Sequence, residues 1–350
     1  MSLDGAVEKL REKRNLTREE SRALMQRLLS GTVRDEEIVQ FLAAMRDKGE
    51  HPEELVGFAE VMRAHAAEAL EAAGVKLDRI SRREPLLDTC GTGGDGCGTF
   101  NVSTAVALIA AAAGVRVAKH GNRSISSRCG SADVLEALGV AIDLPLGRIP
   151  ECLDEVGMVF LFAPRLHLAM KHVMNARRSL NTKSVFNLLG PLTNPLGATV
   201  QLVGVYDAAR TEMMAETLQA VGSERAYVVA GSDGLDEITT TGPTRISHAQ
   251  SGGVETHNVL PEEFGVPRAS LEQIQGGDSP ANARLLRRVL DGERGPHRDI
   301  ALANASAALV LAGRAQGFRE GTKRAAEEID SGAARAKLGA LVEFTQRFRA

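Results

Sequence analysis

Residues 86–104 have the sequence LLDTCGTGGDGCGTFNVST, and this stretch decides the fold. An apolar segment typical of a strand comes first, and a glycine-rich loop follows it. The polar residues Asn101, Ser103 and Thr104 then open an alanine-rich segment typical of a helix. Glycines adopt positive φ and let a ligand approach the backbone, while the start of a helix offers unpaired N–H groups to an anion. The stretch therefore predicts a strand, a phosphate-binding loop and a helix in that order.

The order of glycines in this loop excludes two common nucleotide motifs. The loop combines one aspartate, Asp95, with five glycines: Gly91, Gly93, Gly94, Gly96 and Gly98. A tight turn alone would explain one or two of them. The order G-T-G-G-D matches neither the P-loop nor the G-x-G-x-x-G fingerprint of dinucleotide-binding folds. The loop therefore indicates phosphate binding without indicating a nicotinamide cofactor.

Short apolar segments alternate with helical patterns from residue 85 onward. The predicted strands are 86–88, 115–118, 158–163, 200–207 and 226–231, and a break at 251–253 predicts a hairpin over 246–259. The predicted helices are 103–113, 131–138, 209–221, 281–290, 299–312 and 319–329. Strands that alternate with helices are typical of a mainly parallel sheet flanked by helices. We therefore expect the α/β class for this part of the chain.

The residues before the first predicted strand indicate a small helical unit. Thr17 and Glu20 have the spacing of a capping box, and Pro52 opens a later helix. Apolar residues at helical spacing predict three short helices between Thr17 and Met62. A spare apolar face on these helices would suit a second copy of the chain, so we expect a homodimer.

A second polar loop follows the strand predicted over 115–118. Residues 119–131 are KHGNRSISSRCGS, with cations at Lys119, Arg123 and Arg128 and several hydroxyl groups. Such a loop suits a pyrophosphate, and a solvated basic loop is the alternative. Loops that follow neighbouring strands face one crevice, where open α/β sheets bind ligands. We therefore expect both loops to contact one phosphorylated ligand.

An acidic segment follows the strand predicted over 226–231. It contains Asp233, Asp236 and Glu237. Mg²⁺ prefers hard oxygen ligands and bridges through water to phosphate, whereas an acidic surface turn is the alternative interpretation. None of the eight histidines has a spacing typical of zinc ligands. The segment therefore predicts a Mg²⁺ site opposite the two loops.

The composition argues against several classes of function. The chain of 350 residues contains 42 lysines and arginines and 45 aspartates and glutamates, which gives a formal charge of −3. Aromatic residues make up 3% of the sequence. A nucleic-acid binder needs a basic face and usually aromatic platforms. The longest apolar run, 105–115, is shorter than the roughly 18 residues of a membrane span. Because the charged first residues contain no apolar signal segment, we expect a cytoplasmic protein.

Four motifs together resemble the anthranilate phosphoribosyltransferase family of tryptophan biosynthesis. They are GTGGDG at 91–96, KHGNRSISS at 119–127, FNLLGPLTNP at 186–195 and GLDE at 234–237. The resemblance runs nearly end to end and implies a small helical domain and a larger α/β domain, with a homodimer formed through the small one. It implies transfer of the 5-phosphoribosyl group of phosphoribosyl pyrophosphate to the amine of anthranilate, with release of pyrophosphate and with Mg²⁺.

The resemblance also implies domain limits and site residues. The helical domain would span 1–75, with 166–190 packing on it, and the α/β domain would span 76–165 and 191–350. The donor would contact Gly91, Gly94, Asp95, Thr99, Asn101, Val102, Ser103, Thr104, Lys119, His120, Gly121, Asn122, Arg123, Ser124, Ile125, Ser126, Ser127 and Ser131. Anthranilate would contact Gly91, Asn122 and Arg177. Mg²⁺ would be bound by Ser103, Asp236 and Glu237. An aniline-type nitrogen is unprotonated at neutral pH, so we assign no general base.

One segment departs from the family pattern. Leu168, Asn181 and Lys183 stand where the family usually has proline, glycine and arginine. A lost proline removes a constraint on φ, and lysine lacks the planar fork of arginine. We favour drift within a functional enzyme, and a changed aromatic amine acceptor is the alternative. A pyrimidine nucleoside phosphorylase and a nucleic-acid-binding relative of the fold are further alternatives, which the acidic segment and the charge of −3 disfavour.

Overall fold

The computed structural model describes residues 2–81, 84–124 and 128–349. The chain before the sheet is helical, as predicted, and its helices are Leu3–Arg11, Arg18–Leu29, Asp35–Lys48, Pro52–Ala72 and Asp78–Ser81. The sequence analysis missed the first of these, and the helix that begins at Pro52 is not short but runs for 21 residues. The predicted capping box is confirmed, because Thr17 Oγ1 accepts a hydrogen bond from Glu20 N at 3.2 Å and Thr17 N donates to Glu20 Oε2 at 2.8 Å.

The N-terminal bundle shares its apolar core with two helices from the middle of the chain. These helices are Lys171–Leu180 and Val185–Leu192. Val173 of the first lies in the same buried cluster as Phe41 of the bundle, and this cluster continues onto Val203 of the sheet. The middle helices therefore join the bundle to one face of the sheet.

Seven strands form one sheet, in the order β3-β2-β1-β4-β5-β6-β7. Their bounds are β1 Leu86–Gly91, β2 Arg116–Gly121, β3 Met158–Phe162, β4 Val200–Gly204, β5 Arg225–Gly231, β6 Thr244–Gln250 and β7 Gly253–Val259. Neighbouring strands from β3 to β5 are parallel, while β6 pairs antiparallel with both β5 and β7. The predicted mainly parallel sheet and its terminal hairpin are confirmed.

The strand order reverses between β1 and β4. The helix after β1, Val102–Ala112, packs in one buried cluster, and the helix after β4, Thr211–Ala220, packs in the other, on the opposite face of the sheet. Gly91 at the end of β1 pairs with Gly204 at the end of β4. Because the two connections leave in opposite directions, a crevice opens at the carboxyl ends of these strands, where such sheets bind ligands.

The remaining helices cover the sheet and complete the chain. The α-helices are Ser131–Ala137, Ile149–Val156, Ala163–Leu166, Pro261–Phe264, Ser279–Leu290, Pro296–Leu311, Phe318–Asp330 and Ala333–Gln346. Short 3₁₀ turns are Leu146–Arg148, Leu168–Met170, Ala208–Arg210 and Leu271–Ile274. The sequence analysis missed the helix at 149–156, which has only 8 residues, and the last helix. Within the described residues, no helix combines the length and the apolar character that a membrane crossing needs.

Candidate active site

The glycine-rich loop leaves the end of β1 and contacts the acidic segment after β5. Gly93 N donates a hydrogen bond to Asp236 Oδ2 at 2.8 Å. A β-carbon at Gly91 would lie 2.3 Å from the same oxygen, so only glycine fits there. Gly94 has φ +76°, a conformation that other residues rarely adopt. The structure therefore brings together the first and third of the polar segments that the sequence analysis selected.

The acidic segment is a turn that its own side chains hold in place. Asp233 Oδ1 accepts a hydrogen bond from Leu235 N at 3.1 Å, and Asp233 Oδ2 accepts from the hydroxyl groups of Thr239 at 2.6 Å and Thr241 at 2.7 Å. Asp233 is therefore committed to shaping the turn. Its neighbour Asp236 keeps a carboxylate oxygen in the crevice.

Asn304 supports the acidic turn from below, and the sequence analysis missed it. Asn304 Oδ1 accepts a hydrogen bond from Ile238 N at 2.9 Å, and Asn304 Nδ2 donates to Ile238 O at 2.8 Å. Both groups are buried, and an unpaired buried amide would be costly. The available signal was one asparagine inside the apolar sequence ALANASAAL of a predicted helix.

Asp236 and Glu237 repel each other across the floor of the crevice. Each keeps part of its surface open to the crevice and is enclosed by protein elsewhere. Burial and the nearby charge of Asp95 raise the pKa of Asp236 to about 6. Burial, followed by the charge of Asp236, raises the pKa of Glu237 well above its usual range. A bound cation would relieve this repulsion, because it stabilises the ionised form of both groups.

The chemistry of these groups fits Mg²⁺ bound together with a phosphorylated ligand. Glu237 Oε1 accepts a hydrogen bond from Ser103 N at 3.2 Å, which joins the acidic turn to the start of the Val102–Ala112 helix. The described residues contain no group of three or more His, Cys, Asp and Glu side chains arranged as a metal cage. Mg²⁺ needs none, since it usually takes one or two carboxylates and completes its coordination with water and phosphate.

The start of the helix after the loop presents mainly backbone to the crevice. Val102 and Thr104 are buried, so their side chains point into the protein. Asn101 Nδ2 donates to Cys129 O at 3.2 Å, which ties this helix start to the second polar loop. Thr99 forms an isolated bridge with Gln275. The first backbone N–H groups of this helix are already paired, because Val102 N donates to Phe100 O, Ser103 N to Glu237 Oε1 and Thr104 N to Asn101 O. The helix start therefore favours an anion mainly through the positive end of its dipole.

Lys119 lies under the glycine-rich loop rather than on its surface. Its side chain is 1% exposed, and Nζ donates hydrogen bonds to Thr89 O and, at 3.1 Å, to Ser103 Oγ. Burial lowers the pKa of Lys119, and the charge of Asp88 opposes that effect. The lysine therefore holds the Ser103 hydroxyl and places a positive charge beneath the loop.

His120 faces the other side of the sheet from Lys119. Consecutive side chains of a strand alternate between faces, and the His120 ring lies 5.2 Å from the ring of His167. Burial lowers the pKa of His120 to about 3, so the imidazole is neutral. Its place in the donor site stays a prediction, because the side chain lies among the helices joined to the sheet, away from Ser103.

The second polar loop is shaped by its contacts with the next helix. Ala132 N and Ser131 Oγ donate hydrogen bonds to Asn122 O at 3.2 and 3.4 Å. A β-carbon at Gly121 would lie 2.2 Å from Ser131 Oγ, which explains the glycine. Ser124 N donates to an Asp133 carboxylate oxygen at 3.0 Å. The predicted donor contacts Ile125, Ser126 and Ser127 lie outside the described residues.

Arg123 points to acidic side chains of the following helix. Its guanidinium forms ion pairs with Asp133 at 3.1 Å and Glu136 at 2.8 Å, and 45% of the side chain is exposed. These carboxylates raise the pKa of Arg123 above its usual range. The predicted donor contact of Arg123 is not tested by this arrangement, although the charge is already balanced within the protein.

Arg177 lies on the Lys171–Leu180 helix with its guanidinium over an aromatic ring. The guanidinium carbon lies 5.0 Å from the centroid of Phe186, and Nη1 contacts Met174 Sδ at 3.8 Å. Burial lowers the pKa of Arg177. Among the described residues no carboxylate forms an ion pair with it. An arginine held this way is suited to a carboxylate on a ligand.

The departures from the family pattern have visible structural consequences. Leu168 is 63% exposed, so the leucine side chain that stands where the family usually has proline makes little packing contact with the protein. Asn181 ends the Lys171–Leu180 helix with φ 49°, a left-handed conformation that asparagine tolerates better than most residues. Lys183 lies beside the glycine-rich loop, with Nζ over the ring of Tyr206. The sequence analysis missed Tyr206, which carries no motif.

Two family models match the chain, and together they span both parts of the fold. The helical bundle domain of a glycosyl transferase family matches residues 5–66, and the α/β domain of a glycosyl transferase family matches residues 83–335. The anthranilate phosphoribosyltransferase of Moorella thermoacetica is 48% identical over 99% of this chain and 100% of its own length. That of Solibacter usitatus is 50% identical over 98% of this chain and 99% of its own.

Solved structures that resemble this chain carry the same name as these relatives. The anthranilate phosphoribosyltransferase of Thermus thermophilus has a TM-score of 0.87 and 41% identity, covering 97% of this chain and 99% of its own. The Saccharomyces cerevisiae enzyme in complex with phosphoribosyl pyrophosphate and Mg has a TM-score of 0.87 and 27% identity. The match covers 99% of this chain and 98% of the yeast chain. With such identity over nearly its full length, the chain belongs to the anthranilate phosphoribosyltransferases, a family of pentosyl-transferring enzymes.

Proposed function

We propose that the crevice at the ends of β1 and β4 carries out the reaction of the family. The 5-phosphoribosyl group of phosphoribosyl pyrophosphate would pass to the amine of anthranilate, and pyrophosphate would leave. This is the second step of tryptophan biosynthesis from chorismate. The observation that carries the proposal is the pairing of Asp236 with Gly93 N and of Glu237 with Ser103 N, which joins the acidic turn to the phosphate-binding segment.

The donor would bind across the two polar loops. The glycine-rich loop and the loop after β2 would offer hydrogen-bond donors to phosphate oxygens, and the start of the Val102–Ala112 helix would add the positive end of its dipole. Lys119 adds positive charge beneath them. The yeast relative in complex with phosphoribosyl pyrophosphate and Mg supports this choice of donor.

Mg²⁺ would be held by Asp236 and Glu237, with the Ser103 hydroxyl beside them. When bound, the cation supplies electrostatic stabilisation of the pyrophosphate group. Its binding also offsets the repulsion that raises the pKa of both carboxylic acids. Two relatives from yeast, one with phosphoribosyl pyrophosphate and Mg and one with Mg bound, support the metal.

Anthranilate would bind on the other side of the crevice, with its carboxylate on Arg177. Gly91 and Asn122 stay proposed contacts for the aromatic amine. A yeast relative in complex with 4-fluoroanthranilate supports an acceptor of this shape and charge. A bidentate pair between guanidinium and carboxylate would fix the ring and direct the amine.

The chain itself would contribute binding and orientation rather than a proton acceptor. The bond from the sugar to pyrophosphate breaks early, and the neutral aromatic amine attacks the resulting oxocarbenium-like carbon. Donor groups on the loops stabilise the charge that develops on the leaving group. Holding both substrates in one crevice supplies much of the remaining acceleration.

The experiment that tests the proposal follows anthranilate fluorescence after phosphoribosyl pyrophosphate is added. We expect loss of fluorescence that needs both the donor and Mg²⁺. No loss, together with pyrophosphate release when another aromatic amine is offered, would show a changed acceptor. Cleavage of thymidine or uridine by phosphate without Mg²⁺ would show a nucleoside phosphorylase instead.

The assembly and the domain limits are proposals as well. A homodimer would form through the helical domain of 1–75, with 166–190 packed on it, while 76–165 and 191–350 make the α/β domain. The large hydrophobic side chains that are exposed in the described residues, Leu168 and Leu260, lie outside the N-terminal helices. An interface on 1–75 would therefore use polar and partly buried apolar side chains such as Val39, and the exposed Leu168 would take part only through the segment 166–190. Light scattering would give the mass of the assembly. The cytoplasmic location also stays a prediction.

A further inference from the structure

Lys183 spans the crevice between the two central strands. It belongs to the segment that departs from the family pattern, yet its Cε would lie 3.1 Å from a β-carbon at Gly94. Its Nζ lies 3.2 Å from the ring centroid of Tyr206. Gly94 follows β1 and Tyr206 follows β4, so the side chain lies where the strand order reverses.

The residues on both sides of Lys183 fix its backbone. Arg46 Nη1 donates a hydrogen bond to Thr182 Oγ1 at 3.0 Å, which ties the segment to the N-terminal bundle. Ser184 N donates to Asn187 Oδ1 at 3.0 Å at the start of the next helix. The fold therefore fixes the point from which the Lys183 side chain extends toward Gly94 and Tyr206.

The ammonium group of Lys183 has no committed acidic partner. Its surroundings include the negative charges of Asp95, Asp236 and Asp207 and the positive charge of Arg210. Among the described residues none of these carboxylates comes within the 4.0 Å of an ion pair with Nζ. The aromatic face of Tyr206 attracts the cation instead. Since a ring does not consume the three N–H donors as carboxylates would, the group stays available to an anion.

A pyrophosphate group bound in the crevice would need positive charge close to it. The loop and the acidic turn bring the carboxyl groups of Asp95, Asp236 and Glu237 near one another, and a pyrophosphate group would add negative charge beside them. Arg123 cannot balance it without breaking its ion pairs with Asp133 and Glu136. Lys119 is buried beneath the glycine-rich loop. Lys183 is exposed and lies on the solvent side of the same loop.

We infer that Lys183 is a donor-binding residue that contacts the pyrophosphate group of the phosphoribosyl donor, and that Tyr206 is the residue that positions it. The inference rests on the proposed function and adds a site residue to it. It moves Lys183 from the acceptor side of the crevice to the donor side. A compact ammonium group suits this place, because it binds phosphate as a point charge without the planar fork of arginine.

The first test is Lys183→Met, which keeps the alkyl chain over Gly94 and removes the charge. We expect the KM for phosphoribosyl pyrophosphate to rise about 10-fold, as for loss of a partly exposed charged contact, and the KM for anthranilate to stay within about twofold. Lys183→Arg restores the charge and should recover most of the loss. Lys323→Met, on an exposed helix, is the matched control for loss of one lysine and should change neither KM.

The second test removes the aromatic ring. Tyr206→Phe keeps the face that attracts the ammonium group and should leave the KM for the donor near the wild-type value. Tyr206→Leu should raise it about threefold. In the double variant with Lys183→Met, we expect the KM of Lys183→Met alone, because the ring then has no cation to position.

Calorimetric titration of inorganic pyrophosphate with Mg²⁺ gives a readout besides activity. We expect pyrophosphate to bind Lys183→Met about 10-fold more weakly than wild type. If wild type shows no Mg²⁺-dependent loss of anthranilate fluorescence, the proposed function fails. If wild type is active but Lys183→Met leaves both KM values and pyrophosphate affinity unchanged, or raises the KM of anthranilate instead, only the inference about Lys183 is overturned.

Discussion

The donor loops and the segment 168–184 face each other across one crevice and are built in opposite ways. On the side of the donor loops, which are the glycine-rich loop and the loop after β2, the carboxylates of the acidic turn accept hydrogen bonds from backbone N–H groups, as Asp236 does from Gly93. In the segment 168–184, cations lie on aromatic rings, as Arg177 does on Phe186. One side therefore holds a cluster of fixed carboxyl groups, and the other holds positive charge without carboxylate partners.

This difference assigns different tasks to the two sides. Backbone hydrogen bonds hold the carboxyl groups of the acidic turn against the glycine-rich loop and the following helix before any ligand arrives, so the proposed site for Mg²⁺ and phosphate is formed in advance. The cations of the segment 168–184 can exchange an aromatic face for an anionic group of a substrate at little cost. We therefore expect substitutions on the side of the donor loops to remove catalysis. Substitutions in the segment 168–184 should weaken the binding of one substrate and leave the binding of the other unchanged.

The largest effect should come from removing both carboxylates of the acidic turn. We expect Asp236→Asn combined with Glu237→Gln to lower kcat/KM by about 10²–10³-fold and to abolish dependence on Mg²⁺. The measurement is the rate of anthranilate consumption across a Mg²⁺ titration. The exposed pair Glu255→Gln and Glu262→Gln is the control for an equal change in charge. Full activity in the first variant would show that the acidic turn only shapes the fold.

A smaller and more selective effect should come from Arg177→Ala. Loss of a charged hydrogen-bonding partner should raise the KM for anthranilate about 30-fold or more, with a much smaller change for the donor. Arg178→Ala, its exposed neighbour on the same helix, is the control and should leave both values unchanged. An unchanged KM for anthranilate in Arg177→Ala would remove this arginine from the acceptor site.

The smallest effect concerns pH. The pKa of Asp236 is raised to about 6, and Mg²⁺ needs the ionised carboxylate, so the metal must displace a proton below that pH. We expect Mg²⁺-dependent donor binding to weaken about 10-fold as pH falls from 7 to 5. Titration calorimetry at both values measures it. Asp236→Asn should bind weakly at both values, and an equal affinity of wild type at pH 5 and 7 would contradict the assignment.

The same raised pKa has a definite sign for stability. An unfolded Asp236 would ionise near its ordinary pKa of 3.8, whereas the folded group keeps its proton up to about 6. The contribution of this group to stability is therefore greatest below pH 3.8 and is lost as pH rises through 6. A bound cation reverses that loss, which links metal binding to the stability of the fold.

The sequence predicted what depends on local patterns. The strands follow from short apolar segments, the hairpin from the break at 251–253, and the capping box from the spacing of Thr17 and Glu20. The structure contains all three. The meeting of the two polar loops and the acidic turn at one edge of the sheet was also predicted, because each follows directly after a strand. Their binding of phosphate and Mg²⁺ stays a prediction.

The sequence did not predict what depends on the direction of a side chain or on distant contacts. Lys119 and His120 were both predicted as donor contacts, although the alternation of side chains along a strand places them on opposite faces of the sheet. The pairing of Arg123 with the helix that follows its loop, the support that Asn304 gives to the acidic turn and the approach of Lys183 to the glycine-rich loop arise only after the chain has folded.

The measurement that tests the difference between the two sides most directly is calorimetric titration of phosphoribosyl pyrophosphate into the protein with Mg²⁺ and without anthranilate. Because the donor loops are held by backbone hydrogen bonds and buried carboxylates, we predict binding of the donor that needs Mg²⁺ and is unaffected by Arg177→Ala. Donor binding that requires anthranilate, or that is lost in Arg177→Ala, would contradict a donor site formed in advance by these loops.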